Sequence, residues 1–382
     1  MLTLQLSDFS VEEFLAHYWQ KKPVLIRQGF PGFYDLIRPD ELAGLACEPQ
    51  IESRVIYRQD GVWQAETGPF ESYGRFGKKD WTLVVQAVDH WSPDVADLVQ
   101  AFSFIPKWRL DDVMISYAAT GGGVGPHIDL YDVFICQGSG RRHWRVGDRG
   151  NHHQFAAHPA LLHTAPFEAI IDAELTAGDI LYIPPGFPHE GICLEHSMSF
   201  SVGFRSKSAR DMLSGLADYL IDHDVGTALI SDAGRPLHTK QGHINQSDLA
   251  LVKAQMQSIL DDEQVMADFV GTFLSKTKCE LDLQVIEDDE EITPEALLDM
   301  LHNGELRRTG GLRCFYLDQT VDQGVCYVDG ERYAFGAAAR DAVIALCDHD
   351  IVDAVILEKG LHLAAFVDAL VDWVNQGYWY AE

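Results

Sequence analysis

The period of the hydrophobic positions shifts along the chain, and each shift marks a change of element. Ser10-Val11-Glu12-Glu13 is a capping box, and Val11, Phe14, Leu15 and Tyr18 behind it follow the three-and-four spacing of a helix with one buried face. Pro23 ends that helix, and "PVLIRQGF" reads as a strand. Between about 110 and 205 short runs dominate: "DVMISYAA", "DVFICQ", "RRHWRVG", "FEAIIDAELTAGDILYIPPG" and "SMSFSVGF", separated by Gly, Pro and Asn. Many short strands with turn residues between them predict a sandwich or open barrel.

From about 207 to 277 the apolar residues return to helical spacing in "ARDMLSGLADYLIDH" and "SDLALVKAQMQSILDDEQVMADFVGTFLSK". These helices are expected to form a linker or self-association bundle. The acidic run 287–291 reads as a solvated loop at the next boundary. Thr293-Pro294 then caps the helix "PEALLDMLHNG", followed by the strands "LRCFYLDQ" and "GVCYVDGERYAF" and the helices "ARDAVIALCDHD" and "LAAFVDALVDWVNQGYWY". Helix, strands and helices in this order predict a small winged-helix-like domain. The expected organisation is α+β, with a domain at 1–206 whose barrel core spans about 110–205, a helical segment at 207–277 and a winged-helix-like domain at 278–382.

Composition narrows the class without changing that outline. With 382 residues, 47% of them hydrophobic, the chain has material for two or three globular domains. The start carries early acids and no basic leader, and no apolar run is long enough for a membrane span, so a soluble cytoplasmic protein is expected. Cys47, Cys136, Cys193, Cys279, Cys314, Cys326 and Cys347 are scattered and form no C-x-x-C pair, as expected of reduced core thiols. A net charge of −29 repels phosphate backbones and attracts cationic partners. Nucleic acid is therefore excluded as an expected partner, and a basic protein favoured.

The candidate chemistry lies in the strand-rich stretch. In "GGGVGPHIDLYDVF" (121–134) a glycine loop delivers His127 and Asp129, two apart and so on one face of a strand. Some sixty residues on, "GDILYIPPGFPH" (178–189) ends an apolar strand in a Pro/Gly turn with His189. Two histidines and one carboxylate leave coordination positions open on a divalent metal. A structural zinc ion is the rival occupant, but such sites usually close with four ligands, often cysteine, and no cysteine signature accompanies these residues. His143, His152, His153, His158, His163 and His196 in the same stretch are taken as non-ligands.

The spacing Gly178, five residues, Pro184, one, Gly186, two, His189 is the second signature of the cupins, and the stretch around His127 resembles the first. The asparagine that usually follows the second signature is absent, while Gly140-Arg141-Arg142-His143-Trp144 stands where the Jumonji-C oxygenases carry G-x-K-x-W, with arginine for lysine. The chain thus resembles the Jumonji-C family over residues 1 to 205. The resemblance implies a double-stranded β-helix, the cupin or Jumonji-C jelly roll, in which His127, Asp129 and His189 hold Fe(II). It also implies 2-oxoglutarate as cosubstrate and O2 as oxidant, with Arg142 and Ser116 on the distal carboxylate.

Period-two alternation from Ser116 puts Met114 and Asp112 on the same interior face, as candidate substrate-binding residues, and sets small Ser197, Ser199, Ser201 and Gly203 opposite bulky Met198, Phe200, Val202 and Phe204. The whole layout resembles the ribosomal oxygenases. For a bacterial member this implies a homodimer that hydroxylates the β-carbon of an arginine on a basic large-subunit ribosomal protein, the sixteenth. A histidyl hydroxylase of another ribosomal protein, and a non-catalytic cupin-like binding module, remain the alternatives.

Overall fold

A computed structural model describes residues 2–381 apart from 238 and 288, so one position of the acidic run lies outside the described residues. The chain divides into two compact units, one of residues 1–206 with 279–282, the other of residues 207–278 with 283–382. Among the described residues no helix is long and apolar enough to cross a membrane.

The first unit opens with helix α1 (Val11–His17), whose capping box is made: Ser10 Oγ accepts the Glu13 amide at 3.2 Å and Glu13 Oε2 accepts the Ser10 amide at 2.8 Å. Strand β1 (Val24–Ile26) and helix α2 (Pro39–Leu45) lead to β2 (Ser53–Gln59), β3 (Val62–Thr67) and β4 (Trp81–Val85), then to helix α3 (Pro93–Leu98). The barrel strands follow as β5 (Leu110–Ala118), β6 (His127–Ile128), β7 (Asp132–Gln137), β8 (Arg142–Gly147), the hairpin β9 (Gln154–His158) and β10 (Leu161–Thr164), β11 (Ala169–Leu175), β12 (Ile180–Ile183), β13 (Pro188–Cys193) and β14 (Ser197–Phe204). They build an eight-stranded sheet in the order β1-β12-β7-β14-β5-β4-β2-β3 and a four-stranded sheet in the order β11-β8-β13-β6. This is the expected double-stranded β-helix.

The alternation along β7 and β14 explains how the sheets are used. Every residue of both strands is buried, so each strand is covered on both faces. Val133 and Ile135 face the second sheet, where they pack with Trp144, Val146 and Leu175. Phe134 and Cys136, with Met198, Phe200, Val202 and Phe204, face the other way into an aromatic core closed by Phe14, Phe30 and Phe102.

The second unit holds helices α4 (Ala209–Asp222), α5 (Gln246–Leu260), α6 (Glu263–Ser275) and α7 (Pro294–Asn303), strands β15 (Leu306–Arg308) and β16 (Cys314–Phe315), helix α8 (Asp318–Val321), strands β17 (Val325–Val328) and β18 (Glu331–Ala334), helix α9 (Arg340–Asp348), strand β19 (Ile351–Val352), helix α10 (Ala364–Asn375) and strand β20 (Trp379–Ala381). The helical stretch 207–277, expected as a separate segment, clusters with the C-terminal residues. The reason lies in α6: Asp268 accepts the Tyr327 hydroxyl at 2.7 Å and Arg332 Nε at 2.8 Å, fastening that helix to β17 and β18. What reads as one long helix is broken where Asp262 caps α6 by accepting the Gln264 and Val265 amides.

Phe134 is fully buried among the rings of Phe102 at 4.6 Å, Tyr182 at 4.8 Å and Phe14 at 5.5 Å between centroids. Truncation to Phe134→Ala is expected to cost about 3–5 kcal/mol of stability, read as a shift of the urea unfolding midpoint with an unchanged slope.

Candidate metal centre

His127 lies on β6, Asp129 just beyond it, and His189 stands directly across from His127 on the antiparallel strand β13. The loop entering β6 is glycine-rich because a Cβ at Gly122 or Gly123 would meet a backbone carbonyl and one at Gly125 a side chain. Gly125 has φ +83°, and a Cβ there would lie 2.3 Å from the His163 ring. His163 Nε2 in turn donates to the Val124 carbonyl at 2.9 Å, so this histidine pins the loop.

Backbone carbonyls orient both imidazoles. His127 Nδ1 donates to Gly125 O at 2.9 Å and His189 Nδ1 to Phe187 O at 3.0 Å. A carbonyl only accepts, so each ring carries its proton on Nδ1 and turns the Nε2 lone pair toward its partners. Asp129 Oδ2 is 3.7 Å from His127 Nε2 and 3.5 Å from His189 Nε2. Two ligand atoms each about 2.1 Å from a metal and at right angles are about 3 Å apart, so a slight contraction seats a divalent ion on this triad. Among the described residues it is the one group of three or more His, Cys, Asp or Glu side chains close enough to hold a metal. The other histidines of the barrel are engaged elsewhere, His143 with Asp172 and His196 with Tyr117.

The electrostatics suit coordination. Burial and the facing His189 ring push His127 down to about 4, which leaves it neutral. Burial acts to raise Asp129, but His127, His189 and the Tyr131 hydroxyl outweigh it and hold the carboxyl well below its usual range. Neutral imidazoles and one carboxylate with open positions favour Fe(II) over a closed zinc site.

The triad opens into a cavity of about 250 Å³. Arg142 reaches its wall from β8 with every hydrogen bond directed at a neutral acceptor. Nε donates to Ser197 Oγ at 2.8 Å, Nη1 to Ser116 Oγ at 2.9 Å, and Nη2 to the carbonyls of Ser116 and Ser197 at 3.1 and 3.2 Å. Burial lowers Arg142 to about 10, so it stays charged at neutral pH. Trp144 Nε1, Thr82 Oγ1 and Ser199 Oγ also line the cavity and are buried without partners. A cation and unspent polar atoms around one space fit a small anion with several oxygens.

The structure brings Ser116 and Met114 to the cavity with the triad and Arg142. Asp112, expected on the same face, is not among the lining residues; its carboxylate accepts the Ala87 amide at 3.1 Å. A register shift between Val202 and Phe204 on β14, opposite this end of β5, interrupts the alternation that carried the expectation. Reading the sequence also passed over Arg54, Thr82 and Tyr131 in the cavity wall. A signal for the first was present: Asp60-Gly61, both at positive φ, joins two alternating runs in "SRVIYRQDGVWQAET" as a tight hairpin.

Fold and site define a Jumonji-C protein, and that family, described as "JmjC domain", matches residues 97–212. A second family, "ROXA-like winged helix", matches residues 258–380. The ribosomal protein uL16 3-hydroxylase of Escherichia coli is 43% identical over 97% of this chain and 97% of its own length. A probable ribosomal oxygenase of Haemophilus influenzae is 27% identical over 99% of each. The E. coli ribosomal oxygenase YcfD, solved with cobalt and 2-oxoglutarate, superposes over the whole of both chains with a TM-score of 0.91 at 40% identity. The chain belongs to the ribosomal oxygenases.

Replacing His127 or His189 by Ala is expected to weaken Co(II) binding by at least about a hundredfold, with the circular dichroism spectrum unchanged, as measured by titration of the metal into the purified protein.

Proposed function

We propose that this protein is an Fe(II)- and 2-oxoglutarate-dependent oxygenase that hydroxylates the β-carbon of an arginine in the sixteenth protein of the large ribosomal subunit. One observation carries the reading: a two-histidine, one-carboxylate triad shares a cavity with a buried guanidinium that no carboxylate neutralises. His127, Asp129 and His189 would hold the metal, and Arg142 with Ser116 would take the distal carboxylate of 2-oxoglutarate. Bound there, iron and 2-oxoglutarate supply O2 activation coupled to decarboxylation, with succinate and CO2 as products. The 3-position named for the E. coli relative is the β-carbon.

The chain's own residues position and shield. Gly125 O and Phe187 O fix the imidazole tautomers, and Tyr131 holds Asp129 through its hydroxyl. Ile56, Val84, Val133 and Ile135 give the cavity dry walls. No side chain would have to act as a general base at the carbon, because the metal that His127, Asp129 and His189 would hold supplies the oxidising chemistry.

Met114 on the cavity wall suits the methylenes of an arginine, and Asp112 its guanidinium. Asp112 lies in a carboxylate cluster with Asp89, which accepts the Val113 amide at 2.8 Å, and with Asp111, which pairs with Arg205 at 2.9 Å. Burial, then Asp89 and Asp111, push Asp112 up to about 7. The −29 charge would speed encounter with a basic ribosomal protein in the cytoplasm. Met212, Leu213 and Ile221 on α4 and Leu249, Val252, Met256 and Leu260 on α5 are exposed, which supports a second copy of the chain as their cover.

The test is turnover of 2-oxoglutarate with Fe(II), with and without an arginine-bearing fragment of that ribosomal protein, followed by the fragment's mass. Gain of one oxygen, lost in His127→Ala and strongly reduced in Arg142→Met, is the expected result; no succinate and no mass gain from iron-loaded protein would overturn the reading.

Asp112 gives a pH dependence of defined sign. Its folded-state value is raised, so it is neutral below about 7 and charged above, with Asp89, Asp111, Arg205, Tyr131 and Cys279 as the titratable or charged neighbours. Fragment affinity is therefore expected to rise between about pH 6 and about pH 8, and to lose that slope in Asp112→Asn, as followed by fluorescence anisotropy.

A further inference from the structure

We propose that Arg54 grips the main chain of the target residue and thereby determines which carbon is hydroxylated. The assignment rests on the hydroxylase reading above. Arg54 on β2 pairs with Val84 on β4, Val84 with Ser116 on β5, and Ser116 with Ser199 on β14. Directly opposed residues of antiparallel strands point to the same face, so this row turns toward the cavity, and all four residues line it. At about 4.8 Å per strand, the Arg54 backbone stands about 10 Å from that of Ser116, where Arg142 is fastened.

The two guanidinium groups differ in what they have left to give. Arg142 spends four of its five donors on Ser116 and Ser197, which leaves one Nη1 hydrogen for an anion. Arg54 Nε is buried with no acceptor among the described residues, and a guanidinium has only donors, so an acceptor on a bound molecule would satisfy it. Arg54 and Asp129 line the same cavity.

Hydroxylation at the β-carbon demands an acceptor at such a place. The main-chain carbonyl carbon is two bonds from Cβ, about 2.5 Å away, so a Cβ presented to the metal brings that carbonyl into the cavity with it. Arg54 repels the substrate's own guanidinium and attracts its carbonyl. With the cationic end drawn toward Asp112 and the carbonyl held by Arg54, Cβ meets the reacting centre, and Cγ and Cδ lie beyond it.

The experiment compares the full-length wild type with Arg54→Met and Arg54→Lys, all checked for equal melting temperature. Fragment affinity, 2-oxoglutarate affinity and the position of the added oxygen by fragment-ion mass spectrometry are read for each. Arg54→Met is expected to weaken fragment binding about tenfold or more, leave 2-oxoglutarate binding unchanged and spread the oxygen to Cγ, with Arg54→Lys in between. Wild-type affinity and a single Cβ product in Arg54→Met would overturn the assignment, as would a loss of 2-oxoglutarate affinity in its place. Failure of the wild type itself to add oxygen would instead remove the hydroxylase reading on which the assignment stands.

Discussion

Arg142 is only 6% exposed, and its guanidinium is held by two serine hydroxyls and two backbone carbonyls. Neutral acceptors satisfy four of its five donors but do not balance its charge, and a buried unbalanced charge is costly. Much of the barrel follows from accommodating it. Ser116 and Ser197 have to stand at the right height on β5 and β14, which keeps the inner face of those strands small and leaves the space that becomes the cavity. The outer face of the same strands carries Ile115, Met198 and Phe200, and these require the aromatic cover supplied by Phe14, Phe33 and Phe102.

Charge is unevenly distributed within the barrel. Arg142 and Arg54 line the cavity, while Asp89, Asp111 and Asp112 cluster at the start of β5. An anion is thus drawn to one region and a cation to another, and the metal triad lies on the cavity between these demands. The strongly negative surface adds a longer-ranged attraction for a basic partner that salt would screen.

Legibility differed between the parts for identifiable reasons. "DVFICQ" became β7 because apolar residues on both faces demand two covered sides, and "SMSFSVGF" became β14 because one face is apolar and the other small enough to enclose. The metal triad was readable because glycine and proline spacing forces a particular turn before each histidine. β2 to β4 were not foreseen, since β4 is a short apolar run without alternation and β2 carries charges such as Arg54 that look like surface positions until a sheet partner encloses them. The break between α5 and α6 was hidden by continuous helical spacing across Asp261 and Asp262.

By itself, the sequence determined the order of the main barrel strands, the residues able to ligate a metal and the cation able to receive an anion, because these depend on local turn geometry and on side-chain chemistry. Tertiary structure alone decided which of those groups share a space. A strand slip at the end of β14 coincides with Asp112 leaving the cavity lining, and pairing across four strands brought Arg54 into it. Register is set by contacts between residues far apart in the chain, and a shift of one residue reverses a face, so no local pattern carries that information.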